Sequence, residues 1–203
     1  MVESTSITAS ECKFEYDWSL WEHFNIPGAS YADTMHIIGN FDNIEAFWQH
    51  WNNLQHSKLD NIFFTVNEGA FNMFKRDNRE IRIEGLSLFK KGITPAWEDD
   101  ENKKGGDLSI QMSYDVGKVS AIWQDLVLAT IGGQIPCTNL INGIRVIDKA
   151  IVSNPKSHFR FEIWVNYPET QRDSHRELEE YFHNMVSGAT GRKEHLKYKG
   201  HSQ

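Results

Sequence analysis

Several stretches alternate apolar and polar residues, three longer ones carry apolar residues at helical spacing, and turn residues separate them; together these predict an α+β fold. In that fold an antiparallel sheet is covered on one face by three helices. The 203 residues, 39% hydrophobic and 24% charged, have the composition of a globular domain. We expect a flexible tail over residues 1–10 and a single domain over 11–203. No stretch approaches the roughly 20 apolar residues that span a membrane, and the opening MVESTSITAS lacks the basic start and apolar core of a signal peptide. A cytoplasmic monomer without membrane contact is therefore expected.

The first strand is read from Cys12, Phe14, Tyr16, Trp18 and Leu20, which alternate with charged or small residues. Pro27 and Gly28 break it, a loop carries Tyr31, and a short strand follows around Met35, Ile37 and Ile38. Asp42 with Glu45 forms an acidic capping box, and Ile44, Phe47, Trp48, Trp51 and Leu54 then recur at helical spacing. By 100° per residue Trp48 falls at the edge of that stripe and is expected to be partly exposed. Residues 62–83 read as a hairpin-like excursion, and Leu86 to Phe89 as a strand. A loop from Gly92 to Gly106 leads to the alternating Leu108, Ile110, Met112 and Tyr114; a loop this long in a compact domain usually carries function.

A second helix is marked by Val119, Ile122, Trp123, Leu126, Val127, Thr130 and Ile131, and ends at Gly132-Gly133. Ile144 to Lys149 and Phe159 to Val165 read as an antiparallel pair, with Phe159, Phe161, Ile163 and Val165 on one face and Arg160, Glu162 and Trp164 on the other. A third helix is predicted from about Thr170 to Val186, a flexible break at 187–191, and a basic stretch through Arg192, Lys193, Lys197 and Lys199.

Two cysteines, Cys12 and Cys137, are too few for a disulfide framework, and no spacing resembles a metal site, so neither metal nor cofactor is expected. A net charge of −7, from 21 Lys and Arg against 28 Asp and Glu, argues against wrapping a polyanion. Aromatic residues are abundant, with seven Trp, six Tyr and twelve Phe. Most of them serve a core, which leaves two or three for a ligand.

Trp97-Glu98, in the long loop, joins an indole face to a carboxylate. A 7-methylguanine carries delocalised positive charge, so an indole face adds cation–π attraction of ~1–2 kcal/mol when desolvated. A neighbouring carboxylate accepts from the guanine N1–H and amine while neutralising that charge. Composition alone favours the plainer reading, in which Trp97 anchors its loop and Glu98, Asp99, Asp100 and Glu101 form a solvated acidic face.

The segments Trp18-Ser19-Leu20-Trp21, Phe41-Asp42-Asn43-Ile44-Glu45-Ala46-Phe47-Trp48, Leu88 to Asp99 with Asn102-Lys103-Lys104-Gly105-Gly106, and Ile122-Trp123-Gln124-Asp125 through Ile131-Gly132 closely resemble the mRNA cap-binding eukaryotic translation initiation factor 4E family. Order and spacing match over Trp18 to Gly133 apart from added residues at 62–83; beyond Gly133 the likeness returns mainly at Gly143 and Arg160 to Trp164. The resemblance implies a curved sheet with helices on its convex face and a cap slot on the concave side. It implies a protein that binds the 7-methylguanosine 5′ cap of mRNA and recruits a scaffold protein in translation initiation, without catalysis.

The same resemblance assigns residues. Tyr31 and Trp97 would sandwich the base, Tyr31 standing where the family usually has Trp, as in a branch of repressor-like relatives. Glu98 takes the base edge. Lys149 and Arg160 would hold the phosphates, with Lys156 a rival for Lys149 because residues are added around Asn154-Pro155-Lys156. Asp107 stands where relatives have a basic residue, with Lys193 or Lys197 as candidate compensation. Ile44, Trp48, Gln124, Asp125, Leu128 and Gly132 would take a helix from a 4G-like scaffold or a 4E-binding protein. The alternatives are a cap-binding translational repressor of the same fold and a Mg²⁺-dependent hydrolase using Asp99, Asp100 and Glu101.

Overall fold

The computed structural model describes residues 12–53, 58–63, 71–76, 79–150 and 158–201. The tail expected at 1–10 lies outside them, as do Leu54 and Lys156. Among the described residues, eight antiparallel strands form one curved, unclosed sheet: β1 (Lys13–Asn25), β2 (Met35–Asn43), β3 (Phe74–Arg76), β4 (Arg79–Lys90), β5 (Gly106–Met112), β6 (Ile141–Asp148), β7 (Phe159–Val165) and β8 (Leu196–Gly200). The order across it is β2-β1-β4-β6-β7-β5-β8, with β3 pairing β4 as a hairpin. Helices α1 (Ile44–Asn53), α2 (Val116–Ile131) and α3 (Arg176–Thr190) complete the expected α+β architecture. No helix among the described residues is long and apolar enough to cross a membrane.

The sheet divides the molecule into an apolar and a polar side. On β7, Phe159, Phe161, Ile163 and Val165 are fully buried and join Leu126 and Val127 of α2 and Leu178, Phe182 and Val186 of α3 in one core. The alternate residues Arg160, Glu162 and Trp164 point to the opposite face, as the period-2 pattern requires.

Several local expectations are corrected. The cap of α1 is Asn43, whose Oδ1 accepts the Ala46 N–H at 2.8 Å; Asp42 instead accepts from the Asn43 amide at 2.7 Å. Ile44, placed in the apolar stripe of α1, is exposed, whereas Phe47 and Trp51 are buried and Trp48, at the edge of the stripe, is partly exposed as expected. The strand expected at Leu86–Phe89 begins at Arg79, because residues 79–81 pair with β3 and residues 82–90 with β1. Residues 169–175 form a 3-10 stretch before α3 rather than its first turns. The expected break at 187–191 is the last turn of α3, closed by Gly191 at φ 69°. The basic stretch that follows contains β8, with Leu196 and Tyr198 half-buried between exposed lysines.

Two glycines permit the close approaches at the polar face. A Cβ on Gly105 would stand 1.8 Å from the Val165 carbonyl oxygen, which lies on β7. A Cβ on Gly143 would meet the Phe89 ring at 2.4 Å, and without one Phe89 packs edge-on against Trp164 at 5.4 Å.

Candidate functional site

On the sheet face away from the helices lies a cavity of about 340 Å³ lined by Tyr31, Trp97, Arg145, Arg160, Glu162 and Trp164, and closed on one side by Asp107 and by Lys199 to His201. Tyr31 and Trp97, 66 positions apart in the sequence (97 − 31), thus border one space, at 40% and 48% exposure, while most other large rings are in the core.

Each ring is held by its own segment. The Trp97 loop is organised by the buried Asn102, whose amide donates to the carbonyls of Thr94 at 2.8 Å and Ala96 at 2.9 Å. Asn142 of β6 donates to the Glu101 carbonyl at 2.8 Å and to Asn102 Oδ1 at 2.9 Å, pinning the loop to the sheet. Tyr31 sits just before a 3-10 turn at Ala32–Thr34, and its hydroxyl donates to the Pro95 carbonyl at 3.0 Å. Burial raises the Tyr31 pKa; the Arg145 guanidinium opposes the shift, and the carboxylates of Glu162 and Glu98 add to it. Glu98 is exposed and acts electrostatically on Tyr31 without lining the cavity.

The floor is charged. Glu162 is only 2% exposed, and its carboxylate accepts from Arg160 Nη2 at 2.6 Å and from the Trp164 indole N–H at 2.8 Å, so the buried charge is paired and hydrogen-bonded. Arg145, opposite Glu162 in the β6–β7 register, donates from Nη2 to His23 Nδ1 at 3.3 Å. Burial, with a smaller contribution from Arg145, holds His23 well below its usual pKa, so the ring is neutral. Since Arg145 can only donate, Nδ1 is the acceptor and Nε2–H donates to Ser87 Oγ at 2.6 Å. His201, from just past β8, lies on Trp164 at 4.4 Å between ring centres, with its nitrogens 3.0 Å from the Asn102 carbonyl and 3.3 Å from the Asp107 carboxylate.

The sequence-predicted site is therefore only partly assembled. Tyr31, Trp97 and Arg160 share the cavity. Lys149 does not: it follows the end of β6, is exposed, and lines no part of the cavity. Neither Lys193 nor Lys197 reaches it; Lys199 does, and Asp107 is engaged by His201 rather than standing free. The residues missed are Arg145, Lys199 and His201; Glu162 and Trp164 were legible as face-mates of Arg160. Of the acids in the metal alternative, Asp99 spends both oxygens on the backbone N–H groups of Thr94 and Glu101, and Asp100 pairs with Lys103.

The six helical positions expected at a partner surface are all at least partly accessible. Ile44 and Trp48 on α1 are 46% and 37% exposed, Asp125 and Gly132 are exposed, and Gln124 and Leu128 are half-buried. Their neighbours Phe47, Trp51, Trp123, Leu126 and Val127 are buried.

A curved sheet thus carries helices on one face and a charged cleft between two exposed rings on the other. The model of the family described as eukaryotic initiation factor 4E matches residues 13–203, and the chain belongs to that family. It is 25% identical over 174 residues to eukaryotic translation initiation factor 4E-2 of Schizosaccharomyces pombe, covering 81% of this chain and 60% of that protein. It is 29% identical over 117 residues to eukaryotic translation initiation factor 4E of Bos taurus, covering 57% of this chain and 45% of that one. The chain thus spans about half the length of the curated relatives it matches. Among solved structures, Ascaris suum eIF4E-3 in complex with an m2,2,7G cap superposes with a TM-score of 0.72 at 19% identity, over 95% of this chain and 92% of that one. C. elegans eIF4E-3, in complex with the 4E-binding protein Mextli and a cap analog, gives 0.70 at 21% identity, over 94% and 92%.

Proposed function

We propose that this chain binds the 7-methylguanosine 5′ cap of mRNA and recruits a scaffold or 4E-binding protein through its helical face in cytoplasmic translation initiation, acting by binding alone. The observation that carries the reading is that Tyr31 and Trp97, on separate exposed loops, border one cavity. A flat, cationic base between them gains cation–π attraction from both rings, and Glu98 beside Trp97 supplies the carboxylate for its N1–H and amine edge. Arg160 and Lys199 on the cavity wall favour the negatively charged phosphates. Membership of the initiation factor 4E family and the cap complexes of the two nematode proteins support the same ligand.

The test is retention on immobilised 7-methyl-GTP. Trp97→Ala and Glu98→Ala abolish retention, with thermal stability little changed because both side chains are exposed. Loss of fold and binding together in these variants would return Trp97 to a purely structural role.

A further inference from the structure

Tyr31 is 40% exposed, yet it is fixed at two points. Its hydroxyl donates to the Pro95 carbonyl at 3.0 Å, two residues before Trp97 in the loop that Asn102 and Asn142 make rigid. Its ring lies 5.9 Å from the Arg145 guanidinium and 6.3 Å, tilted 44°, from the His23 imidazole. Arg145 is itself located by donating to neutral His23, which donates onward to Ser87; the three residues stand on adjacent strands β6, β1 and β4. Neutrality of His23 is required for this order, because an imidazolium would have no acceptor for Arg145.

We propose that Tyr31 is a tethered wall: its hydroxyl bond to Pro95 sets the separation of the two rings, and Arg145, seated by His23 and Ser87, steadies the ring, so that the slot is formed before a ligand enters. This rests on the two-ring reading of the cleft and adds to it. The Tyr31 hydroxyl and Arg145 are positioning groups, distinct from the stacking faces. A wall already in place spares the ligand the cost of ordering a loop side chain.

The experiment compares the full chain with its Tyr31→Phe and Arg145→Met variants by calorimetric titration against 7-methylguanosine, 7-methyl-GTP and GTP. Tyr31→Phe keeps the ring and removes only the tether. It binds both methylated ligands about fivefold more weakly, the cost of ordering one side chain on binding, with a less favourable binding entropy and a melting temperature lower by no more than a few degrees. Arg145→Met weakens both methylated ligands by a similar factor. Wild-type affinity in Tyr31→Phe would overturn the tether, and a loss in Arg145→Met confined to 7-methyl-GTP would make Arg145 a direct phosphate ligand and overturn its positioning role. If Arg145→Met lowers the melting temperature, Tyr31→Phe decides alone. Failure of the wild-type chain to prefer 7-methyl-GTP over GTP would overturn the slot reading itself and this proposal with it, whereas selective binding with unaffected variants removes only the proposal.

Discussion

His23 is the side chain whose charge state matters most to the cleft. Burial holds it neutral well below its ordinary pKa of 6.5, while the unfolded chain protonates it near that value. The stability contributed by the neutral ring is therefore complete above 6.5 and is lost as pH falls through the window between 6.5 and the depressed folded value. His23→Gln, which no longer titrates, gives a shallower fall in melting temperature than wild type between about pH 7 and about pH 5; parallel curves would contradict a neutral buried His23. Why the sequence showed Tyr31 and Trp97 but not His23 and Arg145 is a matter of neighbours. An aromatic beside a carboxylate in a long loop marked Trp97 as a candidate, which composition alone left as a loop anchor, and the family resemblance paired it with Tyr31. The role of Arg145 comes from β1 and β4 alongside it, and alternation says which face a residue takes without saying what stands across from it. Lys149 stands apart from the cavity for the related reason that β6 stops at Asp148, one residue short of it.

At the scale of elements, α1 separates two jobs along its length. Phe47 and Trp51 seal the core, while Ile44 and Trp48 present apolar surface outward. Exposed tryptophans of this kind are frequent anchors for partner helices. Trp48→Ala should weaken capture of a scaffold-derived helix by at least tenfold, about 1.4 kcal/mol or more, and leave retention on immobilised 7-methyl-GTP intact; loss of both activities would mean that Trp48 supports the fold. Helical periodicity located α1 and α2 well, because two or three turns of apolar spacing outvote local exceptions. It misjudged ends: Asn43 rather than Asp42 caps α1, since helix entry depends on backbone direction as well as residue type. β8 was hidden because an edge strand studded with lysines reads as a solvated tail, although Leu196 and Tyr198 do alternate.

The whole molecule is a partition. The sheet buries large aliphatic and aromatic side chains against α2 and α3 on one face and holds paired charges beneath two exposed rings on the other. The face pattern of β7 displayed both sides in one strand, so the division into core and polar face was legible, whereas closure of the cleft by the end of β8 and His201 was not. In the proposed reading this partition would set ligand selectivity: a neutral guanine would stack between the rings, and a methylated, cationic one would gain the electrostatic term as well. The direct measurement is a titration of intrinsic tryptophan fluorescence with 7-methyl-GTP and, in parallel, GTP. Binding of the methylated nucleotide about tenfold or more tighter, with quenching that disappears in Trp97→Ala, is the expected result. Equal affinities for the two nucleotides, or quenching that persists without Trp97, would contradict a cationic base held between Tyr31 and Trp97.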